Sequence, residues 1–313
     1  MRWRTLLFAA FLFTAAQAAR AESLTLMLDW FVNPDHGPLV IANEKGFFRD
    51  AGLEVELVAP ADPNDPPKLV AAKKADLAVS YQPQLHLQVA EGLPLVRIGT
   101  LIATPLNSLV VLDAGGVRTI ADLRGRKIGY SVGGFEDALL QAMLGRHGLS
   151  MQDVELVNVS FSLSPSLIAG KVDAVIGAFR NFELNQMDLA GHPGRAFYPE
   201  EEGVPAYDEL IYVAHRDRIG DPALRRFLLA VERGTHWLVN HPEEAWEIFA
   251  ATSPELRDEL NRRAWRDTLP RFALRPAALD VGRYRRFAAF LAKQGLIGEP
   301  PAVESYAVDL FAR

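Results

Sequence analysis

Apolar positions along this chain alternate between two arrangements. Short apolar runs bounded by turn residues, such as LTLML at 24–28 and DLAVS at 76–80, predict buried strands. Segment 54–58 (EVELV) alternates polar and apolar and predicts a strand with one wet face. Longer segments with helical spacing lie between: 37–50, closed by Gly52; 64–72, with Pro66 and Pro67 in its first turn; and 84–91. A strand at 95–101 completes a β-α-β-α-β rhythm, which predicts an α/β fold with a parallel sheet covered on both faces.

A second round follows. Strands are expected at 108–112, 126–130, 154–159 and 173–177, with helices at 136–147 and 166–169. Segments 71–80 (AAKKADLAVS) and 169–178 (AGKVDAVIGA) each place a small-residue turn and an Asp before an apolar strand, which predicts two similar sheets. An acidic loop at 200–205 leads to a strand at 210–213. Beyond it the pattern is helical: 222–240, 242–251, 254–265, 277–294 and 303–311. The aromatics Trp237, Trp246, Phe249, Trp265, Phe287 and Phe290 recur there at helical spacing, as core does.

The start of the chain follows a different rule. Arg2 and Arg4 precede the apolar stretch 5–16, and small-x-small triplets stand at 16–18 and 19–21. This is the pattern of a secretory signal peptide over 1–21, cleaved before Ala19 or Glu22, so the mature chain is expected in the periplasm without a lipid anchor. The apolar stretch is shorter than the roughly 20 residues a bilayer requires. Without that segment the chain carries 30 basic and 39 acidic residues, net −9, which disfavours nucleic acid and anionic membranes as partners. With no Cys there is no disulfide, thiolate metal site or cysteine nucleophile. The seven His form no His-x-x-x-His pair, and no P-loop or G-x-G-x-x-G is present, so neither metal nor cofactor is expected.

Candidate binding chemistry gathers where strands end, which in open α/β sheets is where ligands sit. After the first strand come Asp29, Trp30, Asn33 and His36; an indole there suits a flat ring, with polar groups beside it. Tyr81 and Gln82 follow the third strand, and Asn107 follows Thr104-Pro105. Arg180, Asn181 and Glu183 follow the strand at 173–177 and offer donors and acceptors to a ring edge. The turn Ser131, Gly133, Gly134, Phe135 offers free backbone N–H groups at a helix start, with Phe135 a second stacking candidate. Residues 129–133 also match the G-x-S-x-G of a hydrolase elbow. However, no oxyanion-hole glycine run precedes it, and two of the later His residues, His236 and His241, lie in the helical tail. An exported Ser hydrolase is therefore the distant rival.

Several of these segments carry a resemblance. L-D-W-x-x-N-x-x-H at 28–36, A-N-E-K-G-F-F-R-D-A-G-L-E-V at 42–55, P-x-x-P-N-D at 60–65, G-T-L-I-A-T-P-L-N-S-L at 99–109 and G-R-K-I-G-Y at 125–130 resemble the thiamine-pyrimidine-precursor branch of the periplasmic binding protein superfamily. That branch includes bacterial receptors for formylaminopyrimidine and hydroxymethylpyrimidine, and the hydroxymethylpyrimidine-phosphate synthases. The resemblance implies a type II periplasmic binding fold: two α/β lobes with mostly parallel sheets, joined by a two-crossing hinge, and a helical C-terminal part. On that pattern residues 22–110 and 208–313 form one lobe and 111–207 the other. It also implies a monomeric receptor that encloses a small heterocycle and delivers it to an inner-membrane ABC permease with its cytoplasmic ATPase. Related receptors take riboflavin, nitrate or sulfonates. The synthases hold a pyridoxal cofactor through a Lys and a His on the segment corresponding to 80–84, and they carry a cysteine-rich iron motif. Here that segment reads Ser-Tyr-Gln-Pro-Gln and the chain has no Cys, so a receptor is expected, not an enzyme.

Overall fold

A computed structural model describes residues 21–312; the expected signal segment lies outside them, apart from Ala21. The chain forms β1 (Glu22–Met27), α1 (Gly37–Glu44), α2 (Phe47–Asp50), β2 (Leu53–Val58), α3 (Pro66–Ala71), β3 (Leu77–Ser80), α4 (Gln82–Ala90) and β4 (Leu95–Ile102). It continues through β5 (Asn107–Leu112), β6 (Lys127–Tyr130), α5 (Phe135–Arg146), β7 (Glu155–Asn158), α6 (Leu163–Ile168), β8 (Ala174–Phe179), α7 (Glu183–Leu189) and β9 (Gly194–Phe197). The return comprises β10 (Leu210–His215), α8 (Pro222–Asn240), α9 (Pro242–Ala251), α10 (Glu259–Thr268) and α11 (Val281–Lys293).

Two five-stranded sheets result, ordered β2-β1-β3-β10-β4 and β7-β6-β8-β5-β9. Each has three parallel strands, then one antiparallel strand, then a fifth parallel to the first three. The two Asp-before-strand segments occupy matching places. Asp76 accepts the Thr25 N–H of β1 at 2.7 Å, and Asp173 accepts the Lys127 N–H of β6 at 2.9 Å. Three residues before each Asp the chain is left-handed, at Lys73 (φ 57°) and Gly170 (φ 66°). The chain passes from sheet to sheet twice, between β4 and β5 and between β9 and β10. These crossings are tied together. Glu209 accepts the N–H groups of Leu106 (2.6 Å) and Asn107 (2.9 Å).

Four expectations are corrected. The helix read at 37–50 breaks into α1 and α2 because Gly46 is left-handed, φ 73°. The helix read from 254 begins at α10, where the Asp258 side chain accepts the Asn261 N–H; Pro254–Leu256 is a single 3-10 turn. The helix read from 277 begins at α11, capped by Asp280. The helix read at 303–311 is only the 3-10 turn Val303–Ser305. There the backbone joins the edge strand β4 instead: Arg97 N–H donates to Tyr306 O at 2.8 Å and Val308 N–H to Arg97 O at 3.0 Å. Covering an open sheet edge outweighs local helical preference. No described helix is long and apolar enough to cross a membrane.

A buried acidic slot between the lobes

The carboxyl ends of β1, β3 and β8 converge on a slot lined by Asp29, Trp30, Asn33, Asp35, Tyr81, Glu136, Leu163, Gly177, Phe179, Phe182 and Glu183. Its open volume is about 30 Å³, so the walls nearly meet and a six-membered ring enters only as they part. A broader depression of about 550 Å³ lies beyond Phe31 and Phe182. Its acids, Glu44 and Glu255, are exposed, whereas the four acids of the slot are buried.

Asp29 is held from two sides. His36 Nδ1 accepts the Asn33 N–H at 3.3 Å, which leaves Nε2 to donate to Asp29 Oδ1 at 2.9 Å. Tyr81 Oη donates to Asp29 Oδ2 at 3.0 Å. Asn33 caps the short turn 34–36, its Oδ1 accepting Asp35 N–H at 2.8 Å. Asp35 Oδ1 accepts from Asn181 Nδ2 at 2.6 Å and from Thr268 Oγ1 at 3.0 Å, a buried bond set that reaches from one lobe to the other.

Burial governs the protonation of these acids. It pushes Asp35 up to about 6, against the pull of His36 and the hydrogen bond from Thr268. It pushes Glu183 up to about 8, although the Phe179 N–H donates to Glu183 Oε2 at 2.7 Å. It holds Glu136 well above the usual carboxylate range, despite the N–H groups of Ser131 and Val132. Gly177, at φ 100°, sits where any side chain would collide with the Glu136 carboxyl. No Lys or Arg lines the slot among the described residues. Trp30, Tyr81, Phe179 and Phe182 supply its aromatic surface. A neutral Glu183 carboxyl offers one donor and one acceptor side by side. The slot therefore favours a flat, donor-bearing, neutral or cationic ring and repels anions.

Of the residues expected from the sequence, Asp29, Trp30, Asn33, Tyr81 and Glu183 line the slot. The others do not. His36 lies behind Asp29, and Phe135 lies behind Tyr81, stacked on it at 4.6 Å. Asn181 lies on the latch to Asp35. Gln82 Oε1 accepts the Asp208 N–H at 2.8 Å. Asn107 and Arg180 brace the crossings: Asn107 Oδ1 accepts the Gly177 N–H at 3.1 Å, and Arg180 pairs with Glu200 at 2.6 Å while donating to Leu106 O and Asn107 O. Two of the expected donors of the Gly-rich turn are taken within the chain. Ser131 N–H donates to Glu136 Oε2 at 2.8 Å, and Gly133 N–H donates to Asn64 Oδ1 at 2.9 Å; Gly134 is exposed. The sequence reading missed Asp35, Glu136, Leu163, Gly177, Phe179 and Phe182. The acidic pair after the Gly-rich turn and the apolar end of β8 were the signals available.

Two α/β lobes with a ligand cleft between them define a periplasmic binding protein fold. The alkanesulfonate-binding protein of Xanthomonas axonopodis pv. citri, solved with MOPS bound, superposes with a TM-score of 0.73 at 18% identity, covering 93% of this chain and 99% of that one. The family described as NMT1/THI5 like matches residues 33–245, and the chain belongs to it. A Haemophilus influenzae protein named for thiamine biosynthesis is 57% identical over 290 residues, 92% of each chain. The formylaminopyrimidine-binding protein of Halalkalibacterium halodurans is 33% identical over 244 residues, 77% of this chain and 74% of that one. Several 4-amino-5-hydroxymethyl-2-methylpyrimidine phosphate synthases are 24% to 28% identical.

Proposed function

We propose that this chain is the periplasmic solute-binding component of an ABC importer. It captures a thiamine-related aminopyrimidine, N-formyl-aminopyrimidine or hydroxymethylpyrimidine, between its lobes and releases it unchanged to the permease. The observation that carries this reading is the slot: buried acids, aromatic walls and no basic side chain. An aminopyrimidine edge presents a ring nitrogen beside an amino group. The protonated Glu183 carboxyl donates to the former and accepts from the latter, with Asp29 and Asp35 as further acceptors. Trp30 and Tyr81 stack on the ring. A sulfonate or nitrate would instead lose its hydration facing carboxyl groups. The synthase reading is weaker, since the segment Ser80-Tyr81-Gln82-Pro83-Gln84 has no amine or imidazole and the chain has no thiol.

The test is calorimetry of the exported protein with 4-amino-5-hydroxymethyl-2-methylpyrimidine, its N-formyl relative, riboflavin and taurine, with mass spectrometry of ligand carried through purification. We expect a dissociation constant of about 1 μM or tighter for a pyrimidine, roughly 8 kcal/mol, with the ligand recovered intact. Preferential binding of taurine or riboflavin, or chemical conversion of the pyrimidine, overturns the reading.

A further inference from the structure

Ser131 belongs to a motif that the ligand slot does not use. Its side chain is fully buried, and its Oγ donates to the carbonyl of Ser160. Ser160 is left-handed at φ 47°, one of two described non-glycine residues with positive φ, and its N–H donates to Asn158 Oδ1 at 2.9 Å. Such backbone is sparsely populated for residues with a Cβ and persists where neighbours hold it. The next residue, Phe161, is delivered across the cleft to Trp30. The two rings meet edge to face, with centroids 4.6 Å apart and planes at 70°. Trp30 stands on the loop after β1 in the first lobe yet packs against the apolar cluster of Leu163, Leu167 and Val175 in the second. Phe161 itself is not part of the slot lining.

We propose that Ser131, Ser160 and Phe161 form a positioning relay: the Ser131 hydroxyl holds the left-handed turn at Ser160, so that Phe161 fixes the indole of Trp30 over the slot and limits the slot to a single ring. This rests on the reading of the slot as an aminopyrimidine site. Phe161 is a specificity-determining residue that acts through Trp30, and Ser131 acts through both. The hydroxyl of the G-x-S-x-G motif thus serves geometry and not nucleophilic attack.

The relay has a signature that needs no ligand. The Trp30 indole N–H resonance, assigned by its loss in Trp30→Phe, should move in Phe161→Ala and in Ser131→Ala. At Ser160, Ser160→Gly should leave it in place, because glycine adopts the left-handed turn freely, whereas Ser160→Val should shift it. In binding, Phe161→Ala should lose about tenfold in affinity for 4-amino-5-hydroxymethyl-2-methylpyrimidine, the worth of one aromatic pair. The same variant should lose little or none for adenine, a fused two-ring analogue, and Phe161→Tyr should restore the wild-type preference. An indole resonance unmoved by Ser131→Ala and Phe161→Ala overturns the relay whatever the ligand. A moved resonance with an unchanged pyrimidine-to-adenine ratio overturns the specificity role. A wild-type protein that binds no pyrimidine overturns the functional reading alone.

Discussion

Two buried polar regions of this molecule are built on opposite terms. In the first lobe Arg97 is fully buried, and oxygens meet both terminal nitrogens of its guanidinium, though not Nε. Nη1 donates to Ala277 O (3.0 Å) and Val308 O (3.1 Å), and Nη2 to Thr100 Oγ1 (2.7 Å), Pro276 O (3.2 Å) and Ala278 O (2.5 Å). Thr100 passes the network on to Asp208 at 2.9 Å, which also pairs with Arg283. That clasp stitches the C-terminal segment to β4, and its charges are answered. In the slot, Asp35, Glu136 and Glu183 are also buried, and no Lys or Arg lines it among the described residues. Folding alone gains nothing from three desolvated acids. The buried cation is matched by oxygens and holds the architecture together, whereas the buried acids of the slot are, on the proposed reading, what the ligand's donors meet.

The comparison breaks most visibly at the clasp. Arg97→Met leaves the carbonyls of Pro276, Ala277, Ala278 and Val308 short of donors and should destabilise the protein by about 3–5 kcal/mol in urea unfolding. The folded fraction should bind pyrimidine as the wild type does; a selective loss of affinity at intact stability would mean that the clasp serves the site. Trp30→Ala should do the reverse. It should weaken binding by about 1–3 kcal/mol, by analogy with base stacking, and the stability lost with its contacts to Phe161 and the Leu163 cluster should be smaller than at Arg97. Unaltered calorimetry would remove the indole from the ligand.

Glu183→Gln separates the two terms within one residue. Affinity at pH 7 should change little, since the Gln amide keeps one donor and one acceptor side by side. Stability should change with pH. Glu183 is raised to about 8 from 4.5, so its protonated form is favoured in the fold, and its contribution is lost as pH rises from about 4.5 through 8. The variant should therefore melt several degrees above wild type at pH 9 and alike at pH 4; equal melting at both would deny the burial cost. On the proposed reading the bound ring shares the Glu183 proton, so wild-type affinity should decline above pH 8. The smallest effect belongs to Asn64, which accepts from Gly133 N–H and donates to Ser131 O at 3.1 Å across the cleft. Asn64→Ala should speed ligand release by about three- to tenfold, as read in stopped flow, at about 1 kcal/mol of closure.

Most loops that make the slot are marked in the chain by local pattern, because apolar runs end visibly and a lone Trp-Phe pair after a strand is costly unless used. What each side chain does there is not. Asp35 and Asn181 are 146 positions apart and meet at 2.6 Å. Ser131, Gly133 and Arg180 carry groups suited to a ligand, yet each is spent on the chain itself, on Ser160, Asn64 and Glu200. Phe135 carries the right ring but stands one layer too deep. The tail after Tyr306 lost its helix to the open edge of β4, a partner that no local pattern reveals.

By itself the sequence determined the alternation of strands and helices, the paired sheets and the loops that face the cleft, because hydrophobic periodicity and turn chemistry are local and are written residue by residue. Only the tertiary structure decided which of those loop residues look into the slot and which acids lie there without a counter-charge. Side-chain direction, burial and protonation depend on what distant segments bring to the same few cubic ångströms.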